Sequence, residues 1–145
     1  MFDRILLPTD GSESMDQVVE TALDVATTRD ARVDLLYVVD DRAFLTLDEE
    51  RIEGVVDDLE SKGQTALSEA ATRFEDAGLD VETAMRRGNP ADEILAHAAD
   101  VGDDLIVMGS HGADYERNLL GSVSQKVVTM ASVPVLTVNV GSRPE

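Results

Sequence analysis

Leu105-Ile106-Val107-Met108-Gly109-Ser110-His111-Gly112-Ala113-Asp114-Tyr115-Glu116-Arg117-Asn118-Leu119-Leu120-Gly121-Ser122-Val123-Ser124 decides how the chain is read. Leu105 to Met108 is a four-residue apolar run between Asp104 and Gly109. Its length and flanks predict a short buried strand. Gly109 and Gly112 follow, then a polar loop, then Gly121-Ser122 at the start of an apolar helical period. Strand, glycine-rich loop and helix start, in that order, form a phosphate cradle. Glycine lets backbone N–H groups approach an anion, and a helix N-terminus offers free donors and a favourable dipole. An isolated Gly-x-x-Gly more often only turns the chain. The Gly-Ser at a helix start favours the anion site.

Outward from this stretch, apolar runs and helical periods alternate. Arg4 to Leu7, closed by Pro8, reads as a strand, and Pro8-Thr9-Asp10-Gly11-Ser12 as a turn. Ser14 and Gln17 have capping-box spacing before a helix from Met15 to Thr28. Val33 to Val39 is nearly continuous in apolar residues, as suits a strand covered on both faces. Thr46 and Glu49 repeat the capping-box spacing before a long helix that runs to Ala77. Gly54 and Gly63 weaken it, and Gly78 is placed to end it. Val81, Thr83 and Met85 alternate as a third strand, followed by Arg86-Arg87-Gly88. Asn89 caps and Pro90 opens a helix that ends near Gly102. After the glycine loop, Ser122 and Gln125 give another capping box, and Val123, Val127, Met130 and Ala131 an inner face. Pro134 introduces a last strand, Val135 to Val140.

Five strands alternating with four helices predict a single doubly wound α/β domain over residues 1–145, its parallel sheet covered on both faces. Ligands of such sheets bind beyond the carboxyl ends of the strands, where strand order reverses. Asp10, Val38 to Asp40, and the Gly109–Gly112 loop are the ends that matter. Asp10 suits a ribose hydroxyl or a metal, and equally a turn.

Composition narrows the function. The net charge is −18, from 30 acidic and 12 basic residues spread through every segment, and Lys62 and Lys126 are the only lysines. Such a surface argues against nucleic acid as partner and suggests a halophilic source, where salt screens self-repulsion. Cysteine is absent, which excludes disulfides, a thiol nucleophile and thiolate metal sites. With no membrane-length apolar run and no charged-then-apolar leader, the expected location is cytoplasmic.

Leu6-Leu7-Pro8-Thr9-Asp10-Gly11-Ser12, Met108-Gly109-Ser110-His111-Gly112, Gly121-Ser122-Val123-Ser124 and Val133-Pro134-Val135-Leu136 together resemble the universal stress protein family. The resemblance covers essentially the whole chain. It implies a homodimer joined through the last strand, and ATP as ligand in the members that bind nucleotide. In those members Gly109, Gly112, Gly121 and Ser122 hold the phosphates, with backbone and hydroxyl help from Val123 and Ser124. Asp10 meets the ribose, Pro8 and Thr9 line the crevice, Val38 holds adenine through its backbone, and Met108 lies near the base. The binding pattern has nine residues between the second and third of these glycines; here there are eight, Ala113 to Leu120.

His111 and Arg117 lie in the loop, His111 as a phosphate contact or equally a solvated loop residue and Arg117 as a phosphate contact, while His97 and Arg86-Arg87 read as structural or surface residues. With so few cations, Mg or Mn carried on the nucleotide is expected to offset the acidic field. No group is placed as general base for attack on the γ-phosphate, so the chain reads as a stress-response regulator that binds ATP without rapid turnover, slow hydrolysis aside. The alternative is a dimeric interaction module that has lost the nucleotide.

Overall fold

The apolar runs become strands and the helical periods become helices. A computed structural model describes residues 1–40, 48–110 and 120–139. In chain order the elements are β1 (Arg4–Thr9), α1 (Met15–Arg29), β2 (Arg32–Asp40), α2 (Glu49–Asp76), β3 (Val81–Gly88), α3 (Pro90–Val101), β4 (Leu105–Gly109), α4 (Ser122–Met130) and β5 (Val135–Val138). The five strands form one sheet in the order β3-β2-β1-β4-β5, all parallel.

Alternate residues of each strand face opposite layers. Ile5, Leu7, Leu35, Tyr37, Val39, Leu105 and Val107 pack with α1 and α2. Leu6, Leu36, Ile106 and Met108 pack with α3 and α4. Both faces are therefore covered, which is why β2 and β4 read as continuous or nearly continuous apolar runs rather than alternating ones. The chain winds one way from β1 to β2 and β3, then returns to β4 and β5. The reversal lies between β1 and β4, which are neighbours.

Helix boundaries expose where local signals are overridden. Asn89 caps α3 as its sequence predicts, its side chain accepting from the Asp92 N–H at 3.3 Å, with Pro90 in the first turn. The capping box at Ser14 does not form. Ser14 is itself in helical geometry, and its Oγ pairs with Ser12 Oγ at 2.8 Å. A cap must be extended for its oxygen to face the next turn's amides. The Ser122 box fails likewise: Ser122 is already the first residue of α4, and extended Gly121 is the cap. Thr46 lies outside the described residues; Asp48 caps α2, accepting from the Arg51 N–H at 2.9 Å. β3 extends through Arg86-Arg87-Gly88, residues the sequence places after the strand, because β2 continues beside it to Asp40. β5 is described from Val135 to Val138; Val140 and the tail lie outside the described residues.

α2 crosses close to the sheet at Gly63. A Cβ there would stand 2.5 Å from Tyr37 Cδ1 and 2.7 Å from Met85 Cε. The glycine that weakens the helix in isolation lets it approach the tyrosine ring.

Candidate functional site

The carboxyl ends of β1, β2 and β4 diverge around a cavity of about 280 Å³, at the reversal of strand order. Pro8, Thr9 and Asp10 come from the end of β1, and Met108 and Gly109 from the end of β4. β2 contributes Leu36, Tyr37, Val38 and Asp40. Three helices close the walls through their first turns: Met15 from α1, Pro90 and Ile94 from α3, Val123 and Ser124 from α4. The walls are mostly apolar with a few convergent polar groups, the usual character of a small-molecule site.

β2 outruns β1 here. The last paired residues are Thr9 and Tyr37, while β2 continues to Asp40 alongside β3. On the β1 side Val38 lies beyond the last paired residue, so a planar ring with donors and acceptors can dock against its backbone. Val38, Leu36 and Met108 give it apolar faces.

The first turn of α4 meets the cavity from the other side. Gln125 N–H donates to the Gly121 carbonyl, the first bond of that helix. The N–H groups of Ser122, Val123 and Ser124 come before it, and no side chain among the described residues caps them. Open amides at a helix start carry partial positive charge and attract anions. The failed capping box thus leaves donors in place for a ligand.

Ser124 Oγ, almost fully buried, donates to the Gly109 carbonyl at 2.7 Å. It ties α4 to the end of β4, and its hydrogen is committed to the backbone. Gly121 N–H is committed as well, donating to the Ser110 carbonyl at 2.7 Å. Gly121 and Ser122 do not line the cavity among the described residues. Gly112, like His111 and Arg117, lies outside the described residues. Of the residues singled out in the sequence, Pro8, Thr9, Asp10, Val38, Met108, Gly109, Val123 and Ser124 converge on one cavity.

Asp10 is exposed at the rim, and its Oδ1 accepts from the Ser12 N–H at 2.9 Å. The turn role occupies one of its two oxygens. Tyr37 lines the cavity from the α1/α2 side. Burial, and then the charge of Asp10, push its phenol above its ordinary pKa. No basic side chain lines the cavity among the described residues, and Asp10 and Asp40 make its rim acidic. Arg86 is engaged elsewhere, with Glu93 at 2.8 Å and Asp100 at 3.2 Å, and His97 Nδ1 stands 3.4 Å from it.

Met15, Tyr37, Pro90 and Ile94 are cavity residues that the sequence reading missed as such. Pro90 carried a signal: the first turn of a helix that follows a parallel strand must lie at the strand's carboxyl end.

Residues 1–139 match the universal stress protein family. Universal stress protein MJ0531 of Methanocaldococcus jannaschii is 38% identical over 140 residues, covering 95% of this chain and 82% of the relative. The solved structure of MJ0577 superposes with a TM-score of 0.86 at 32% identity, covering 100% of this chain and 99% of that one. A universal stress protein solved in complex with cAMP superposes with a TM-score of 0.69 at 26% identity, covering 94% and 96% of the two chains. On its sequence, its strand order and these likenesses, the chain belongs to the universal stress protein family.

Proposed function

We propose that the protein binds an adenine nucleotide, ATP foremost, in the cavity between β1 and β4, and acts as a stress-response regulator rather than a rapid catalyst. The observation that carries this reading is the opposition of two features across one cavity. Val38, where β2 runs past the last residue paired with β1, offers a seat for a base, and the first turn of α4 offers amides for phosphate. The cAMP complex of a relative supports the same ligand class. Asp10 stands where a ribose hydroxyl would meet it. Gly109, Gly112, Gly121 and Ser122 remain assigned to the phosphate segment, with Gly121 acting through the turn it makes rather than through its committed N–H.

The acidic rim sets a condition. Phosphates entering beside Asp10 and Asp40 need a counter-charge, and among the described residues no cluster of three His, Asp or Glu is placed to hold a metal. Mg or Mn therefore arrives on the nucleotide. Rapid turnover would need a general base beside the γ-phosphate; this reading gives Asp10 to the ribose and assigns no residue to that role.

A homodimer joined through β5 is part of the proposal. β5 is an edge strand, and Leu136 on it and Met130 and Val128 on α4 are exposed. The second reading, a dimeric module without nucleotide, is favoured by the eight-residue segment between Gly112 and Gly121.

Mass spectrometry of gently purified protein distinguishes the two. Co-purified ATP, ADP or AMP supports the first reading. A protein that stays empty, and takes up none of these when they are added, while light scattering reports a dimer, supports the second.

A further inference from the structure

At the opposite end of the sheet, charged side chains gather where apolar ones are usual. Arg4 opens β1, Arg32 and Asp34 open β2, and Asp103 and Asp104 lead into β4. Asp34 is 2% exposed and Asp103 4%. Carboxylates this deep are rare unless paired, because losing hydration penalises the charge.

The available cation is unequally shared. Arg4 Nε donates to Asp34 Oδ2 at 2.7 Å, and Nη2 donates to Oδ1 at 3.3 Å. The same Nε is 3.7 Å from Asp103 Oδ1, beyond hydrogen-bond reach. Neither oxygen of an ionised Asp103 finds a donor among the described residues. No neighbour supplies one. Asp104 is itself an acceptor, from the Asp3 and Arg4 N–H groups. Arg32 pairs with Glu82 of β3 and approaches Asp34 only to 3.8 Å. From α3, His97 is held toward its neutral form by burial and then by Arg86, itself occupied by Glu93 and Asp100. Two arginines thus face four carboxylates: Asp34, Glu82, Asp103 and Asp104.

We propose that Asp34 and Asp103 hold one proton between them at neutral pH, and that the folded protein releases it as the medium turns alkaline. A proton on Asp103 makes its carboxyl a donor to Asp34 and satisfies an otherwise orphaned oxygen. Asp34 stays the anion that Arg4 binds. A proton fits where a metal does not: the Arg4 guanidinium occupies the approach, and no third ligand is present among the described residues. The two groups are pushed apart accordingly. Burial, then the hydrogen bond to Asp34 and its charge, push Asp103 up to about 8. Burial also raises Asp34, but the hydrogen bonds from Asp103 and Arg4 outweigh it and hold it low.

The unfolded chain loses this proton near the ordinary carboxyl range of about 4. Between there and about 8 the folded state holds one proton more. Stability from this pair is therefore greatest near the ordinary carboxyl range and falls as pH rises through that window, while below it the lowered Asp34 takes stability away again. Asn at position 103 would offer the same donor with no proton to lose.

Infrared spectroscopy of the full chain, in the salt that keeps it folded, reads the proton directly. A protonated carboxylic-acid carbonyl band should be present at neutral pH, vanish by about pH 9.5, and be absent in Asp103→Asn. Urea midpoints should agree. The folding equilibrium constant of the wild type should fall relative to Asp103→Asn by about tenfold per pH unit up to about pH 8. A wild type with no such band at neutral pH, or two parallel pH profiles, overturns the proposal. Should Asp103→Asn fail to fold, the wild-type band and its pH dependence decide alone.

Discussion

Ser124 Oγ donates to the Gly109 carbonyl at 2.7 Å, fastening the first turn of α4 to the carboxyl end of β4. Both residues line the cavity, so one bond positions two of its walls. In Ser124→Ala the half-buried carbonyl loses its donor, which costs about 1 kcal/mol. The urea midpoint should fall accordingly. Ser124→Thr, which keeps the hydroxyl, should recover part of the loss. Equal loss in both variants would show that the hydroxyl is not what matters.

Two glycines of α2 should respond oppositely to the same change. At Gly54 a Cβ meets nothing within 4 Å, so Gly54→Ala should stabilise by up to about 1 kcal/mol through helix propensity. At Gly63 the Cβ would lie 2.5 Å from the Tyr37 ring, which is buried and cannot swing clear. Overpacking of this kind costs about 1–3 kcal/mol and exceeds the propensity gain. Gly63→Ala should destabilise, and Tyr37→Leu in the same chain should relieve part of it. Thermal melts of the three variants check the signs.

Tyr37 carries a pH signature. Burial and the charge of Asp10 hold its phenol protonated beyond the ordinary range. Removing the charge in Asp10→Asn should move its ionisation toward lower pH, since less negative potential opposes the phenolate. Phenolate absorbance, taken as the difference from Tyr37→Phe, reports it. An unmoved titration would place Asp10 out of electrostatic reach of the ring.

The fold was legible because burial on both faces writes itself as apolar runs. Leu35 to Val39 and Leu105 to Val107 could hardly be anything else once helical periods flanked them. Asn89-Pro90 was legible because its cap needs only neighbouring residues. Ser14 and Ser122 misled for a related reason: the spacing of a capping box is local, but the turn that begins the helix is set by packing. At Ser122 an extended Gly121 took the cap, with φ −68° and ψ 165°. The strand-end residues of the site followed from topology. Met15, Tyr37 and Ile94 did not, since their arrival at the cavity depends on how helices sit across the sheet. Asp34 gave no warning inside its apolar run, and its partners Arg4 and Asp103 lie about 30 and 70 residues away in sequence.

Charge makes a prediction for the whole molecule. A net charge of −18 on 145 residues opposes compaction, and salt screens that repulsion over distances of about 10 Å at 0.1 M. The urea midpoint should rise steadily as KCl is raised from about 0.1 M to about 2 M. A midpoint indifferent to salt would count against a halophilic source.

Calorimetric titration of Mg-ATP into the protein, in the salt that keeps it folded, tests the central claim most directly. The account predicts saturable heat with one site per chain, and affinity weakened about tenfold or more, roughly 1.4 kcal/mol, in Ser124→Ala, whose change loosens the α4 wall. A flat titration at millimolar nucleotide, from a protein shown to be folded and empty, would contradict it.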